Sequence, residues 1–258
     1  MICGEYQVFT SIAHAAHLPG RDKSLDRMMA RLDAHHIHNR QSVHFEFGKA
    51  PPHVWSERQW RAALKPGFTH GLFLNDDLIL ADEFWEKLED RIDQRPNDIL
   101  SLYCSDPRAA ELHAKGHRWY TSTDGLIGNA YIYPIWLLEK FLDWRQTALV
   151  PGVIETLSED QLINLFAMAT GRKIFHTIPS LVEHDVSIAS AYGNEGNAAR
   201  TASVGIDAVV RYPQPDEPTP DLGRFFLGNH RALLTHIKPE FWTQYNCVRR
   251  YYQIDGKE

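Results

Sequence analysis

The segment Thr69-His70-Gly71-Leu72-Phe73-Leu74-Asn75-Asp76-Asp77 stands out for chemistry in this 258-residue chain. Its apolar run reads as a buried strand, and it stops abruptly on two carboxylates. Adjacent like charges raise each other's pKa, and burial adds a further penalty unless a cation or hydrogen-bond donors satisfy them. A hard divalent ion does so and keeps positions open for phosphate oxygens and water, which suits a phosphorylated substrate. The plainer reading is a strand that ends in a turn. In Pro179-Ser180-Leu181-Val182-Glu183-His184-Asp185, an apolar stretch leads to His184. Its neutral imidazole could be a third ligand; a hydrogen-bonded histidine is the bland alternative. Glu159 and Asp160 fall in the first turn of a helix that Ser158 and Gln161 open with a capping-box pattern. Acidic residues suit that place for dipole reasons alone, yet the same dipole keeps a carboxylate ionised, as a base for a hydroxyl must be.

These residues need strands and helices to bring them together. Gln7 to Ala13 reads as a first strand, followed by a loop with a Pro19-Gly20 turn signal. Leu25, Met28, Met29 and Leu32 then mark an amphipathic helix. Val43 to Phe47 reads as a strand and Trp55 to Leu64 as a helix. The Leu72–Leu74 strand follows, then a helix with Asp82 as N-cap and Phe84, Trp85, Leu88 and Ile92 as its stripe, then a strand from Ile99 to Tyr103. This alternation predicts an α/β fold with a mostly parallel central sheet flanked by helices. Ligands in such sheets lie outside the carboxyl ends of the strands, which here means after Ala13 and after Leu74.

The second half is less regular. Pro134 opens a helix bearing Trp136, Leu137, Leu138, Phe141 and Leu142, and the Ser158 helix buries Leu162, Leu165, Phe166 and Ala169. Ile174 to His176 and Leu181 to His184 read as short strands. Residues 185–203 are rich in Ser, Ala, Gly and Asn and read as an active-site loop or lid. The expected organisation is one domain over 1–212, a Pro-rich linker over 213–220, and an aromatic and basic extension over 221–258.

Composition narrows the classes. The chain has 27 basic and 33 acidic side chains, a net charge of −6, which argues against a broad nucleic-acid surface. No apolar run is long enough for a membrane span. Cys3, Cys104 and Cys247 are too scattered for a disulfide framework, and Met1 to Tyr6 does not look like a signal peptide, so a cytoplasmic protein is expected. His35, His36 and His38 have no partners at zinc spacing and read as a helix end. Trp60, Trp85 and Trp136 read as core, and Trp119 and Tyr120 as possible stacking platforms. His113 and His117 are one helical turn apart, but Gly116 weakens that helix.

The order of these motifs resembles that of GT-A fold glycosyltransferases, the metal-dependent enzymes that use nucleotide sugars. The likeness spans roughly Val8 to Ala202. It runs through an early strand with Pro-Gly-Arg, "THGLFLNDDLIL" as an Asp-x-Asp-type motif, and "DGLIGNAYIYP" as the acceptor segment. "LSEDQLINLF" and "PSLVEHDVSIAS" follow, the latter similar to the ending of small bacterial and phage members. The resemblance implies a Rossmann-like GT-A domain, Mn2+ or Mg2+, and a nucleoside-diphosphate sugar, UDP favoured, as donor. It implies Asp77, Asp76 and His184 at the metal, with Asp76 alternatively at the ribose. Asp160 would be the base of an inverting single displacement, with Glu159 as fallback. Ser11, Ala13 and Arg21 would hold the nucleoside and diphosphate, and Gly128 and Asn129 would lie between sugar and acceptor. Asn75 departs from the strict motif at its first acidic position.

The acceptor is then a hydroxyl on a glycan or, alternatively, on a hydroxymethylated pyrimidine of phage DNA. For DNA, Arg200, Arg211, Arg249, Arg250, Tyr251 and Tyr252 would supply phosphate and stacking contacts. A non-catalytic nucleotide-binding module and a nucleotidyltransferase are the readings from other classes.

Overall fold

The computed structural model describes residues 6–33, 40–46, 51–123, 125–189, 202–208, 219–222, 236–238 and 241. His35, His36 and His38, the middle of the expected lid, most of the linker, and the arginines and tyrosines named for DNA lie outside the described residues.

In chain order the elements are β1 (Val8–His14), α1 (Arg21–Asp33), β2 (Arg40–Glu46), α2 (Pro52–Ala63) and β3 (His70–Asn75). Next come β4 (Leu78–Leu80), α3 (Phe84–Gln94), β5 (Ile99–Ser101), α4 (Ala109–Ala114) and β6 (Trp119–Ser122). The series ends with β7 (Ala130–Pro134), α5 (Ile135–Ala148), α6 (Glu159–Thr170), β8 (Ile174–Thr177) and β9 (Val182–His184). Seven strands form one sheet in the order β2-β1-β3-β7-β5-β8-β6, and β4 pairs with β9 apart from it. β1, β2, β3, β5 and β8 run one way; β7 and β6 run against them. The sheet is therefore mixed, with most strands parallel in direction. The antiparallel β6 and β7 fall between the alternating first part, which ends at Tyr103, and the helix expected to open at Pro134, a stretch in which no strand was expected.

Period-two alternation explains why helices cover both faces. Phe9, Phe73, Tyr131 and Tyr133 point into one core, packed by Trp60 of α2 and by α5 and α6. Val8, Ile12, Leu72, Leu74 and Ile132 point into the other, packed by Leu25, Met28 and Leu32 of α1 and by Phe84, Trp85 and Leu88 of α3. The α6 stripe of Leu162, Leu165, Phe166 and Ala169 is buried as expected, and Gly171 ends that helix in the left-handed conformation at φ 68°.

Several local expectations change. The residue preceding α3 is Glu83, itself left-handed, and Asp82 is turned to Arg31. Pro134 closes β7 and stands one residue before α5. Trp136 is not core; it is 38% exposed, with Lys140 and Arg172 against its ring. Trp119 and Tyr120 are buried in β6 and stack on no open surface: Tyr120 lies on His176 at 4.4 Å, and Trp119 meets Phe175 edge-on. α4 takes in His113 and stops before His117, where Gly116 has φ 92°.

Two buried histidines tie this fold to pH. Burial pushes His70 down to about 4, although it faces the Pro96 carbonyl, and pushes His176, beside Ser122, down to about 3. Both titrate near 6.5 when exposed. Folded-state values that lie lower mean full stability above pH 6.5 and a loss as pH falls through that value. The slope is about 1.4 kcal/mol per pH unit for each histidine. Urea midpoints should therefore fall between pH 7 and 5, and less steeply in His70→Gln. A midpoint that is flat across that interval contradicts the assignment.

Candidate active site

The crevice builds up from the carboxyl ends of β1 and β3, which are hydrogen-bonded neighbours. Asp76 sits at that end and is only 1% exposed, so its charge must be met by donors. His14 Nδ1 and the Ala15 N–H both reach Oδ2 at 2.8 Å, and the Arg21 guanidinium binds Oδ1. The Asp76 N–H in turn donates to the Ala13 carbonyl at 3.0 Å. Both carboxylate oxygens are thus engaged within the protein. Arg21 is equally buried, bridges Asp76 and Asp77, and donates to the Ala189 carbonyl at 2.7 Å. It therefore holds the acidic turn where a diphosphate contact was expected. Ser11 and Ala13 are fully buried in β1, between β2 and β3, and present no side chain to the crevice. His14 carries no motif signal in the sequence. Its role is visible only once β1 lies beside β3.

Asp77 and His184, far apart in sequence, are brought together by the β4–β9 ribbon. Leu78 is in register with His184 and Leu80 with Val182. The Asp185 N–H donates to the Asp77 carbonyl at 2.7 Å, closing the ribbon at this end. His184 Nδ1 then lies 3.6 Å from Asp77 Oδ2, and the Tyr103 ring meets the imidazole edge-on at 5.4 Å. On the opposite side of the ring, His184 Nε2 is 3.0 Å from the Asn129 side-chain amide. The Asn129 Nδ2–H donates to His184 Nε2, and the Nδ1 side of the ring faces Asp77. The Asn129 amide thus fixes the orientation of the ring. Among the described residues, no group of three His, Cys, Asp or Glu side chains gathers to hold a metal. One carboxylate and one imidazole still fit Mg2+ or Mn2+, which take the rest of their coordination from substrate phosphates and water.

Gly128 connects this pair to the start of α6. A Cβ at Gly128 would lie 2.8 Å from Glu159 Oε1 and 3.2 Å from Asp160 Cβ, so only glycine allows the loop to rest on the helix end. Its role is this close approach. The two acids at that end differ sharply. Glu159 is buried, and its pKa is pushed well up by burial and by the neighbouring Asp160 charge. Tyr131 hydrogen-bonds it and accepts from Trp60 Nε1 at 3.0 Å. A raised pKa favours the protonated form and makes Glu159 the less suited of the two acids to act as a base. Asp160 is half-buried, and its Oδ1 accepts from the Ser158 hydroxyl and from the Gln161 N–H at 3.0 Å. The Ser158 N–H donates to Gln161 Oε1 at 2.9 Å, and the expected capping box between Ser158 and Gln161 is present, with the serine hydroxyl also meeting Asp160.

No protein-family model matches the chain, and no curated protein does. Among solved structures, that of A197 from STIV is similar, at 14% identity and a TM-score of 0.47 over 81% of this chain and 99% of that one.

The Asp76 cluster should govern stability. Asp76→Asn removes the nearer of the two carboxylates that pair with buried Arg21 and leaves Asp77 at 3.2 Å; breaking a buried pair typically costs up to about 3–5 kcal/mol. Denaturant titration should show that loss, and a midpoint unchanged from wild type would remove Asp76 from this role. Gly128→Ala should perturb the Glu159 and Asp160 resonances by forcing the loop off α6.

Proposed function

We propose that the chain is a metal-dependent GT-A glycosyltransferase that moves a sugar from a nucleoside-diphosphate donor, UDP favoured, to an acceptor hydroxyl. The observation that carries this reading is the approach of His184 Nδ1 to Asp77 Oδ2 at 3.6 Å across the β4–β9 ribbon. Asp77 and His184 would hold Mn2+ or Mg2+. The bound ion supplies charge to the departing diphosphate.

Asp160 takes the proton of the acceptor hydroxyl as its oxygen bonds to the anomeric carbon. The bond from that carbon to the diphosphate oxygen breaks, and the nucleoside diphosphate leaves with the electron pair. Configuration inverts. The helix N-terminus and two hydrogen-bond donors stabilise ionised Asp160 and fix its direction. Gly128 and Asn129 form the floor between that base and the Asp77–His184 pair, where donor sugar and acceptor would meet. A hydroxymethylated base in DNA would use the same chemistry; the residues named for DNA contact lie outside the described residues.

A thermal-shift panel of nucleotide sugars with and without Mn2+ should single out a donor, since a ligand of the folded state raises stability by mass action. With that donor, wild type should release nucleoside diphosphate. Asp77→Asn should lose both transfer and metal-dependent binding. Asp160→Asn should keep donor affinity while turnover drops by about 10²–10⁴-fold, the usual worth of a general base. Full turnover by Asp160→Asn would exclude it as base, and pyrophosphate release would indicate nucleotidyl transfer instead.

A further inference from the structure

The helix α3 buries Phe84, Trp85, Leu88 and Ile92, and in the same stripe it buries Arg91 to 2% exposure. Taking a guanidinium out of water costs several kcal/mol unless charge and hydrogen bonds compensate. Here the compensation is thin. Asp90 approaches Arg91 Nη1 only at 3.5 Å, and the same carboxylate oxygen pairs with Arg118. Arg91 Nη2 donates to the Ile178 carbonyl at 3.3 Å, and its guanidinium lies 5.3 Å from the Trp119 ring. The Nε–H groups of Arg91 and Arg118 are buried without a hydrogen-bond partner. One carboxylate, itself 48% exposed, thus serves two guanidiniums. Burial above all, and then the Arg118 charge, push Arg91 down to about 9.

Arg91 and Arg118 open onto a cavity of about 310 Å3, with Lys87 beside them and Pro179, Ser180 and Leu181 behind. Glu86 and Asp90 also line it, and both are exposed, so the acids stand toward water while Arg91 is buried. The wall is firm: Ser180 Oγ accepts from the Cys104 N–H at 2.9 Å, and the Ser180 N–H donates to the Val204 carbonyl at 3.0 Å. We infer that this cavity binds the phosphoryl group of a small anion. Guanidinium forks match phosphate oxygens in pairs, and a lysine adds a point charge. The volume is at the lower end of small-molecule sites, which suits free phosphate or a small phosphorylated metabolite and no polymer. The site is separate from the crevice at Asp77 and stands whether or not the chain transfers sugars.

The test is a titration of the full-length protein with inorganic phosphate, followed by 15N spectroscopy of arginine Nε and by thermal midpoint. Saturable shifts at Arg91 and Arg118 with a raised midpoint are expected. The double variant Lys87→Gln/Arg118→Gln, which leaves buried Arg91 in place, should weaken binding about tenfold or more, because charge-assisted hydrogen bonds are removed. Asp77→Asn should leave it unchanged. Phosphorylated sugars and nucleoside monophosphates at the same concentration separate the sources: tighter binding than phosphate identifies a metabolite, and equal binding identifies the free ion. No binding at millimolar phosphate, or binding indifferent to the double variant, overturns the site and leaves Arg91 as a support for the Ile178 carbonyl.

Discussion

The burial of one carboxylate organises the crevice. Asp76 follows directly on a buried strand and has almost no access to water, so β3 can stop there only if donors come to it. They come from the end of β1 and from the first residue of α1. That requirement fixes the β1–α1 loop beside the β3 turn. It draws Arg21 inward, and Arg21 in turn reaches Asp77 and the Ala189 carbonyl. A turn that would otherwise be pliant thus becomes a rigid base from which β4 leaves in one direction. Without it, the register of β4 against β9 would have no fixed origin.

The site contains two pairs of adjacent acids, and each is divided by its surroundings in the same manner. Asp76 is enclosed and saturated, while Asp77 faces His184. Glu159 is enclosed with its pKa pushed up, while Asp160 is partly open and accepts two hydrogen bonds. Neighbouring carboxylates cannot both be charged cheaply in low dielectric, so each pair resolves into one structural and one presented group. In the proposed reading, the presented members are the metal ligand and the base. Gly128 then acts as the spacer that lets the loop bearing Asn129 touch both halves.

Much of this could be read from the sequence where period and chemistry agreed. The α1 and α6 stripes, the buried β3 strand with its acidic end, and the start of the Ser158 helix all follow from local spacing. The apolar stretch that leads to His184 is visible too, although nothing local reveals the distance of that histidine from Asp77. That distance depends on pairing between β4 and β9, strands of three residues each, too short to leave a periodic signal. Roles that depend on packing were equally hidden. Asp76 and Asp77 look alike in sequence, as do Glu159 and Asp160, and only burial distinguishes them. The buried β6 carried Trp119 and Tyr120 inward for a related reason: β-rich aromatic residues suit a covered strand as well as an open platform.

The short ribbon also has a mechanical consequence. β9 is joined on one side to the Ser180–Leu181 wall, where Leu181 N–H donates to the Leu102 carbonyl and the Ala81 N–H to the Leu181 carbonyl. On the other side it continues into Asp185, whose carboxylate pairs with Arg27 of α1 at 2.6 Å. His184 is therefore suspended between two anchored ends, with Tyr103 against its ring face and Asn129 on its far nitrogen. A ligand that displaces Leu181 would have to carry the β9 backbone with it, since the hydrogen bonds on both strands of the ribbon move as one unit. Displacing Asp77 meets the same resistance through Arg21 and the Asp185 N–H. The imidazole and the carboxylate are thus held on one hydrogen-bonded ribbon, and the segment that follows is tied to α1 at both ends, Asp185 to Arg27 and Ala189 to Arg21.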